Sequence, residues 1–369
     1  MKRVVLQTTK LRSEMPKLNL RKEPPNPPKK PSSSGFGEVF TPNVLQLDWT
    51  ALSGWSKPRF ARQIDGIHMP YSASSLHYAI SCFEGTKAYA ADSGKALLFR
   101  PDINARRFAK SCRRLALPTI QPEEFVRLIR LAIRRDLNWI PHTKDAALYI
   151  RPTMISTDRS LRIAPPKSAK FFILLSPVSG YFKQNTKEAT LLIERGTMRA
   201  WPGGTGALKL ACNYAPTILP LKRAHRKKCI QNLWLGPNDE CTEAGSMNIF
   251  FVFKCKRSGK RNVYTPPLDD MVLPGVIRSS VLTLLRSMDV VVRVESVSLS
   301  ELLEGITCGN LVECFGCGTA ATITPINAFR CDNRKYTLPE VRDGLATKLL
   351  GKLRAIQYGR IVSRWAISV

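Results

Sequence analysis

Four short stretches of the chain place glycine beside residues that can do chemistry. Two of them carry an ionisable side chain, a lysine in one and a glutamate in the other, and two are glycine-rich turns that could present backbone N–H groups. A glycine-rich turn is usually no more than a turn, and a lysine is usually a solvated charge, so each stretch alone is a weak signal. In chain order the stretches are residues 203–209, 243–246, 273–277 and 316–320.

Taken together, the four stretches supply the groups that a phosphorylated cofactor needs. A helix beginning near Pro274 would offer unpaired N–H groups and the positive end of its dipole to a phosphate. A second glycine-rich turn can add backbone donors. A lysine in an apolar, glycine-flanked segment, such as Lys209, can lose its proton and act as a Schiff-base nucleophile. A carboxylate such as Glu243 can keep a pyridine nitrogen protonated. This combination is typical of a site for pyridoxal 5'-phosphate.

The composition excludes several classes of protein but leaves one unusual number. The 369 residues are 44% hydrophobic and 23% charged, which is ordinary for a globular protein. The sequence has no apolar run of the ~20 residues that a membrane span requires. The formal net charge, however, is +29. We interpret it as a basic, solvated surface and expect neither a membrane nor a nucleic-acid partner, because basic clusters recur along the chain, at 106–107, 113–114, 134–135, 222–228 and 254–261.

The ten cysteines lie at irregular spacings, which favours a reducing compartment over a disulfide scaffold. Cys314 and Cys317 have the spacing of a CxxC motif, but no second Cys or His pair lies nearby to complete a four-ligand zinc site. We expect them to be unpaired thiols, with a redox pair as the alternative. We expect no metal site.

Residues 1–35 are basic and then rich in proline, which predicts a poorly ordered arm. The alternative is a cleaved mitochondrial presequence, because such segments are basic and poor in acidic residues. Glu14 and the lack of serine enrichment weaken that alternative. The sequence therefore leaves a mitochondrial and a cytoplasmic location open.

Helical and strand patterns alternate along the rest of the chain, as in a mixed α/β (α+β) fold. Apolar spacing predicts a helix over 123–137 and another over 274–288, and a capping box at 298–301 starts a third. The apolar alternation or density typical of strands occurs at 44–49, 96–99, 146–153, 170–175, 190–194, 230–235 and 247–253.

A fall in apolar density near Gly180 predicts a domain boundary. We expect a small N-terminal domain over 36–178, a linker over 179–189 and a larger domain over 190–369. The glycine-rich stretches with Lys209 and Glu243 fall in the larger domain.

The chain resembles the branched-chain amino acid aminotransferases, which are pyridoxal phosphate enzymes of fold type IV. The similarity runs from residue 36 to residue 359, nearly nine-tenths of the chain. It implies a smaller N-terminal and a larger, cofactor-binding C-terminal α/β domain, and a homodimer whose sites lie between the domains. The matching motifs lie at 75–79, 82–85, 148–152, 203–206, 209–214, 242–248, 265–268 and 273–276.

The resemblance assigns roles to individual residues. Lys209 is similar to the residue that binds the cofactor covalently and then carries the proton. Glu243 is similar to the partner of the pyridine nitrogen, and Tyr214 to the donor to the phenolic oxygen of the ring. Arg107 matches the phosphate-binding arginine of the family. The resemblance completes the cofactor site with the Val276 and Ile277 backbone N–H groups, the Thr319 hydroxyl, and Ser246, which replaces a threonine.

The resemblance also implies a substrate pocket. The backbone amides of Thr319 and Ala320 would take the α-carboxylate. Aromatic side chains would form the walls of an apolar slot, and Arg151, with Tyr78 from the other subunit, would pair with the distal carboxylate of glutamate. The expected walls are Phe36, Phe83, Tyr149 and Tyr214.

Several positions depart from the family pattern. Ala321 and Thr324 stand where many animal members have a redox CxxC, so we expect no thiol switch of that kind. The pair Ala211-Cys212 replaces two glycines beside the lysine. The resemblance also implies that Arg162 lies in a loop that reaches the site of the other subunit. The sequence does not fix what these changes do to activity.

The expected activity is transfer of the amino group of leucine, isoleucine or valine to 2-oxoglutarate. A slot lined by apolar groups separates such homologues by only ~1–3 kcal/mol, which predicts tolerance of all three. The alternatives are another fold-type-IV activity, such as a D-amino acid transaminase or a lyase, and a basic paralogue without catalysis that binds RNA or anionic lipid.

Overall fold

The computed structural model describes residues 36–143, 145–179, 189–255 and 259–369. The described residues divide into two compact units: those within 36–179, with 364–369, form the first, and those within 189–363 form the second. The expected arm over 1–35 and most of the expected linker, 180–188, lie outside the described residues.

The described strands are numbered in chain order. The first eight and the last belong to the first unit. The strands of both units are β1 (Asn43–Thr50), β2 (Gly54–Trp55), β3 (Arg59–Arg62), β4 (Ser81–Phe83), β5 (Thr86–Ala90), β6 (Ala96–Phe99), β7 (Ala146–Ser156), β8 (Ser168–Ser179), β9 (Thr190–Glu194), β10 (Gln231–Leu235), β11 (Cys241–Ala244), β12 (Met247–Lys254), β13 (Arg261–Tyr264), β14 (Val291–Arg293), β15 (Leu311–Gly318), β16 (Thr322–Ile326), β17 (Ala328–Cys331), β18 (Arg334–Thr337) and β19 (Ala366–Ser368).

The described α-helices are numbered in the same way, and the first three belong to the first unit. They are α1 (Ser74–Tyr78), α2 (Pro101–Arg114), α3 (Pro122–Arg135), α4 (Ile218–Arg226), α5 (Val276–Leu285), α6 (Leu299–Thr307) and α7 (Leu345–Gln357). These helices and strands confirm the mixed α/β fold class, and every predicted strand falls on an observed one.

The first unit is built on an antiparallel sheet with the strand order β19-β6-β5-β7-β8-β1-β2, in which β3 also pairs with β1 and β4 with β7. Helices α2 and α3 bury apolar side chains against it. Phe108 of α2 lies 4.9 Å from Phe125 of α3 and 5.7 Å from Phe171 of β8, measured between ring centroids. This aromatic contact joins both helices to the centre of the sheet.

Helix α3 shows why its sequence is helical. Its apolar residues recur at helical spacing and are buried, from Phe125 to Ile133. Two glutamates lie in its first turn and two arginines in its last, which suits the helix dipole. The predicted helix over 123–137 is therefore confirmed, but it ends at Arg135, because Asp136 already leaves helical geometry.

The second unit has a mixed sheet with the order β14-β13-β12-β11-β10-β9-β17-β18, and β15 pairs with both β12 and β16. Its central strands β10, β11, β12 and β15 are buried on both faces, and the rings of Phe250 and Phe315 stack at 5.0 Å between centroids. Cys314 and Cys317 are both buried in β15. Side chains three residues apart on a strand point to opposite faces, so the two thiols cannot form a disulfide with each other. The interpretation as unpaired thiols is confirmed, and they are packed in the core.

Two expectations differ from the structure at their edges. The helix predicted over 274–288 spans Val276–Leu285, because Gly275 keeps an extended backbone as the N-cap and leaves Pro274 outside the first turn. The larger domain was expected to run to residue 369. Residues 364–369 instead belong to the first unit, where β19 pairs with the edge strand β6. The capping box at Ser298 is present and begins α6.

Candidate active site

In each unit, some of the residues that the sequence singles out form a group together with their side-chain partners. We call the first the Lys209 group (Arg199, Lys209, Tyr214, Glu243 and Asn248) and the second the Tyr149 group (Phe36, Phe83, Tyr149 and Arg151). Each is described by itself.

Lys209 lies in the loop before α4, and side-chain hydrogen bonds across this loop fix its shape. The Asn213 side chain crosses this loop: its Nδ2 donates to the carbonyls of Thr205 (2.8 Å) and Leu208 (2.9 Å), and its Oδ1 accepts from the Thr205 hydroxyl at 2.6 Å. Lys209 is half-buried between Leu208 and Leu210, which are both buried. Its Nζ lies 3.0 Å from the hydroxyl of Tyr214. The loop therefore fixes the amine against a phenol.

Glu243 lies on β11 and is almost completely buried. Its Oε1 accepts from Asn248 Nδ2 at 3.1 Å and from the backbone N–H of Leu273 at 3.0 Å. Its Oε2 pairs with Arg199 Nη2 at 2.9 Å. The carboxylate is held from three directions, so its orientation is fixed by the fold.

Arg199 links the parts of the Lys209 group. Besides Glu243, its Nη2 donates to the carbonyl of Gly206 at 3.1 Å and to that of Met271 at 2.7 Å. Gly206 belongs to the loop of Lys209, and Met271 belongs to the segment that leads into α5. One guanidinium thus joins the amine loop, the carboxylate strand and the start of the helix.

The start of α5 is fitted closely to Asn248. The amide of Asn248 donates to the Leu273 carbonyl at 2.9 Å, and a Cβ atom added at Gly275 would lie 2.0 Å from Asn248 Oδ1. Only glycine fits there. The backbone N–H groups of Val276 and Ile277 open the helix, where N–H groups have no partner inside the helix. Such a start can bind an anion.

The remaining predicted residues of the second unit lie in two turns. Register pairing places Asn248 of β12 opposite Cys317 of β15, so the turn that contains Ser246 and the turn after Gly318 lie at the same end of the sheet. Ser246 is exposed, and Thr319 and Ala320 are half-buried. The fold thus brings these two turns to the same end of one sheet.

In the Tyr149 group, the guanidinium of Arg151 packs against aromatic rings. The ring of Phe36 meets that of Tyr149 edge-on at 4.7 Å. The guanidinium of Arg151 lies 4.5 Å from the centre of the Phe83 ring and donates to the Tyr149 hydroxyl at 3.0 Å. A Cβ atom added at Gly85 would lie 2.3 Å from the same hydroxyl. The group therefore combines an apolar surface with a positive charge.

Arg107 has a partner that the sequence did not reveal. Its Nε and Nη2 bind the two carboxylate oxygens of Glu84 at 2.6 and 2.8 Å, and both side chains are buried. Asn104 and the backbone N–H of Gly85 also donate to this carboxylate. Two of the three guanidinium nitrogens of Arg107 are thus committed within the first unit.

Tyr78 lies on α1. Its hydroxyl donates to the carbonyl of Leu161 at 2.5 Å, and the residue is 39% exposed. This contact fixes the phenol beside the loop that carries Arg162 and does not join it to the Tyr149 group.

Sequence reasoning missed Arg199, Glu84 and Asn104 and gave no role to Asn248. Three of the four lay inside or next to a stretch that was noticed: Glu84 precedes Gly85, Asn104 lies three residues before Arg107, and Asn248 ends the motif that begins at Thr242. Arg199 had no such signal, because nothing in the sequence near it distinguishes it from the many other arginines.

Comparisons with known proteins give a consistent result. The family model described as amino-transferase class IV matches residues 81–329. The cytosolic branched-chain-amino-acid aminotransferase of Saccharomyces cerevisiae is 39% identical over 341 residues, which cover 90% of this chain and 90% of that protein. The mitochondrial enzyme of the same organism is 38% identical over 364 residues, covering 96% and 92%. Similar proteins thus include both cytosolic and mitochondrial ones.

Solved structures share the fold. The branched-chain amino acid aminotransferase of Thermobaculum terrenum, solved in its PLP-form, superposes with a TM-score of 0.67 at 20% identity. The match covers 87% of this chain and 97% of that chain. No helix among the residues that the structure describes is long and apolar enough to cross a membrane.

Proposed function

Because the chain belongs to the class IV aminotransferase family, we propose that its Lys209 group binds pyridoxal 5'-phosphate and its Tyr149 group binds the substrate side chain. The chain is an enzyme, a transaminase of branched-chain amino acids, as its relatives over nine-tenths of its length are. We propose leucine, isoleucine and valine as amino donors and 2-oxoglutarate as the acceptor.

The Lys209 group fits the cofactor by its chemistry. It offers an amine for covalent attachment, a phenol within 3.0 Å of that amine, and a buried carboxylate that three donors hold in place. One observation carries the proposal. The guanidinium of Arg199 contacts the loop that carries Lys209, the carboxylate of Glu243, and the segment that leads into α5.

The roles of the side chains follow from these contacts. When bound, pyridoxal 5'-phosphate supplies a pyridine ring that withdraws electrons from the α-carbon of the amino acid. Glu243, paired with Arg199, would hold a proton on the ring nitrogen. Lys209 Nζ would accept the proton from the α-carbon and deliver it to the cofactor. The Tyr214 hydroxyl would donate a hydrogen bond to the phenolic oxygen of the ring.

For the phosphate we propose the backbone N–H groups of Val276 and Ile277, with the hydroxyls of Ser246 and Thr319. We also propose Arg107, in a narrower form than the sequence suggested. Because Nε and Nη2 bind Glu84, Arg107 would contact the phosphate as part of a buried ion pair and not as an isolated cation. The pair with Glu84 then serves to orient the guanidinium and to offset much of its charge.

The Tyr149 group supports a slot that takes both apolar and acidic side chains. The rings of Phe36, Phe83 and Tyr149 would contact a branched aliphatic chain, at about 0.8 kcal/mol for each buried CH₂ group. Arg151 lies behind two of these rings and would pair with the distal carboxylate of glutamate. The Thr319 and Ala320 amides would bind the α-carboxylate.

We also propose a homodimer, in which Tyr78 from the other subunit completes the slot. Large apolar side chains near Tyr78 support it: Tyr71 is 97% exposed and Ile163 is 83% exposed. The segments that carry them are linked, since the N–H of Ser74 donates to the carbonyl of Asp158. A surface this apolar suits burial against a second copy.

A coupled assay with leucine and 2-oxoglutarate tests the activity, and borohydride reduction followed by peptide mapping tests the attachment residue. We expect turnover and a label on Lys209 that Lys209→Ala abolishes. A panel of L- and D-amino donors separates the alternatives. Transamination of D-amino acids only, or no transamination together with salt-sensitive RNA binding, would contradict the proposed function.

A further inference from the structure

A cavity lies in the first unit, and none of its lining residues belongs to the Tyr149 group. Its volume is about 610 Å³. It is formed by the turn between β5 and β6, the last turn of α3, and the segment from Leu137 to His142 that leads towards β7. Tyr149 of β7 pairs with Lys87 of β5, and Ala90 at the cavity ends the same strand. Three residues at roughly 3.3 Å each separate Lys87 from Ala90 by about 10 Å along the strand.

The ionisable side chains that line this cavity are three cations and a histidine. They are Lys95 on the turn, Arg134 and Arg135 at the end of α3, and His142. Among the described residues that line it, none is an aspartate or a glutamate. The neighbouring acid Asp136 is fully buried and accepts a hydrogen bond from Asn43, away from the cavity.

These cations have few partners of their own. Among the residues that the structure describes, Lys95 and Arg134 form no ion pair and no side-chain hydrogen bond. Arg135 is held with its guanidinium 5.7 Å from the centre of the Phe60 ring, and its buried Nε has no hydrogen-bond partner. By contrast, the exposed Arg106 and Arg127 on α2 and α3 are each paired with an acid one turn away.

The rest of the lining includes the apolar side chains of Leu137 and Ile140 and the amide of Asn138. A site with two guanidinium groups and an ammonium group beside apolar walls suits a phosphate group on a partly apolar body. The volume is in the range of small-molecule sites. We propose that this cavity binds a small phosphorylated compound, with Lys95, Arg134 and Arg135 contacting its phosphate.

Calorimetry on the holoenzyme tests the proposal with ADP and with inorganic pyrophosphate. The protein is first saturated with pyridoxal 5'-phosphate, so that the phosphate-binding groups of the active site are filled. The double variant Lys95→Gln/Arg134→Gln removes two cations of the cavity. The matched control, Arg113→Gln/Arg114→Gln, removes two exposed cations of α2 that do not line it.

We expect both probes to bind the native holoenzyme, the cavity variant to bind at least about tenfold more weakly, and the control to bind within about twofold of native. Leucine transamination should be the same in all three. Equal weakening in the two variants would show attraction by the overall charge and would overturn the proposal. So would adenosine binding as tightly as ADP, or no binding of either probe.

Hydrogen exchange of the native holoenzyme gives a readout that needs no variant. With ADP bound, we expect slower amide exchange over residues 90–96 and 134–142, and unchanged exchange in the Lys209 loop. An absence of protection at the cavity would also overturn the proposal. A failure of the proposed function would show in the borohydride experiment instead and would leave this result unaffected.

Discussion

Arg199 Nη2 lies 2.9 Å from Glu243 Oε2, and both side chains are more than nine-tenths buried. Breaking a buried ion pair from one side leaves the other charge without a partner and costs about 3–5 kcal/mol. We therefore expect Arg199→Met to lower the free energy of unfolding of the cofactor-free protein by that amount, measured with urea. The double variant Arg199→Met/Glu243→Gln should recover part of the loss, because no unpaired charge remains.

The control for this cycle is Arg223→Met. Arg223 also pairs with a buried glutamate, Glu194, but is itself 40% exposed, so we expect a smaller loss. A loss for Arg199→Met no larger than for Arg223→Met would contradict the role assigned to the buried pair.

Tyr214→Phe should slow transamination without unfolding the protein. The substitution removes only the hydroxyl that lies 3.0 Å from Lys209 Nζ. A hydrogen bond to a charged group contributes about 1.5–3 kcal/mol, so we expect kcat to fall roughly 10- to 100-fold. Tyr336→Phe, in the second unit on β18, is the control and should keep native kcat. Native kcat in Tyr214→Phe would show that this hydroxyl has no part in catalysis.

Gly85→Ala should disturb the Tyr149 group. The added Cβ would lie 2.3 Å from the Tyr149 hydroxyl, so the phenol must move, and its contact with Arg151 moves with it. We expect a rise in KM for leucine and for glutamate. Gly85→Ala/Tyr149→Phe should fold better than Gly85→Ala alone, since the nearest clashing atom is gone, although the ring carbon remains at 3.0 Å.

The matched control is Gly351→Ala on α7. Nothing lies within 4 Å of the added Cβ there, and alanine is favoured over glycine inside a helix by about 0.5–1 kcal/mol. We expect this variant to be slightly more stable than the native protein with unchanged KM. If Gly85→Ala behaved in the same way, the close approach of Gly85 to Tyr149 would be disproved.

Thiol labelling should separate the cysteines by burial. Cys212 and Cys308 are exposed, whereas Cys314 and Cys317 are buried, and burial raises the pKa of both buried thiols. Because the thiolate is the reactive form, we expect an aromatic disulfide reagent at pH 8 to label Cys212 and Cys308 rapidly and the pair on β15 only after unfolding. Cys212→Ser/Cys308→Ser should remove the rapid phase. Rapid labelling of Cys314 would contradict the buried placement.

Much of the fold could be predicted because the signals are local. The helix spacing of Phe125 to Ile133 and the capping box at Ser298 are each contained within a few residues. The start of α5 could be placed only to within two residues, because its boundary depends on the contact between Gly275 and Asn248. That contact joins residues 27 positions apart.

The candidate site was predictable only where the family motifs name a residue. Lys209, Glu243 and Tyr214 follow from the motifs, but the partners that hold them do not. Arg199 meets Glu243, and Arg107 meets Glu84, only because strands and helices far apart in the chain pack together. A single sequence does not show which of its 57 basic residues has a buried acidic partner.

The stability of the first unit should depend on pH through Asp136. This carboxyl is fully buried, and although hydrogen bonds from Thr41 and Asn43 oppose the effect, burial raises its pKa. The folded state then binds the proton more tightly than the unfolded chain. The stabilisation is complete below the unfolded pKa of about 3.9 and is lost as the pH rises through the higher folded pKa. Asp136→Asn keeps the acceptor and removes the titration, so the variant should exceed the native protein in urea midpoint at pH 7 and approach it near pH 4.

Asp48→Asn is the control with the opposite sign. Burial opposes ionisation there too, but hydrogen bonds from Lys170 and Arg59 prevail and lower the pKa of Asp48. Its contribution to stability is present above the unfolded pKa and is lost as the pH falls through the folded pKa. We expect Asp48→Asn to lower the urea midpoint at pH 7 and to make little difference near pH 3. If the urea midpoint at pH 7 shifted in the same direction in both variants, the interpretation would be contradicted. That interpretation is that burial dominates the pKa of Asp136 and that hydrogen-bonded cations dominate the pKa of Asp48.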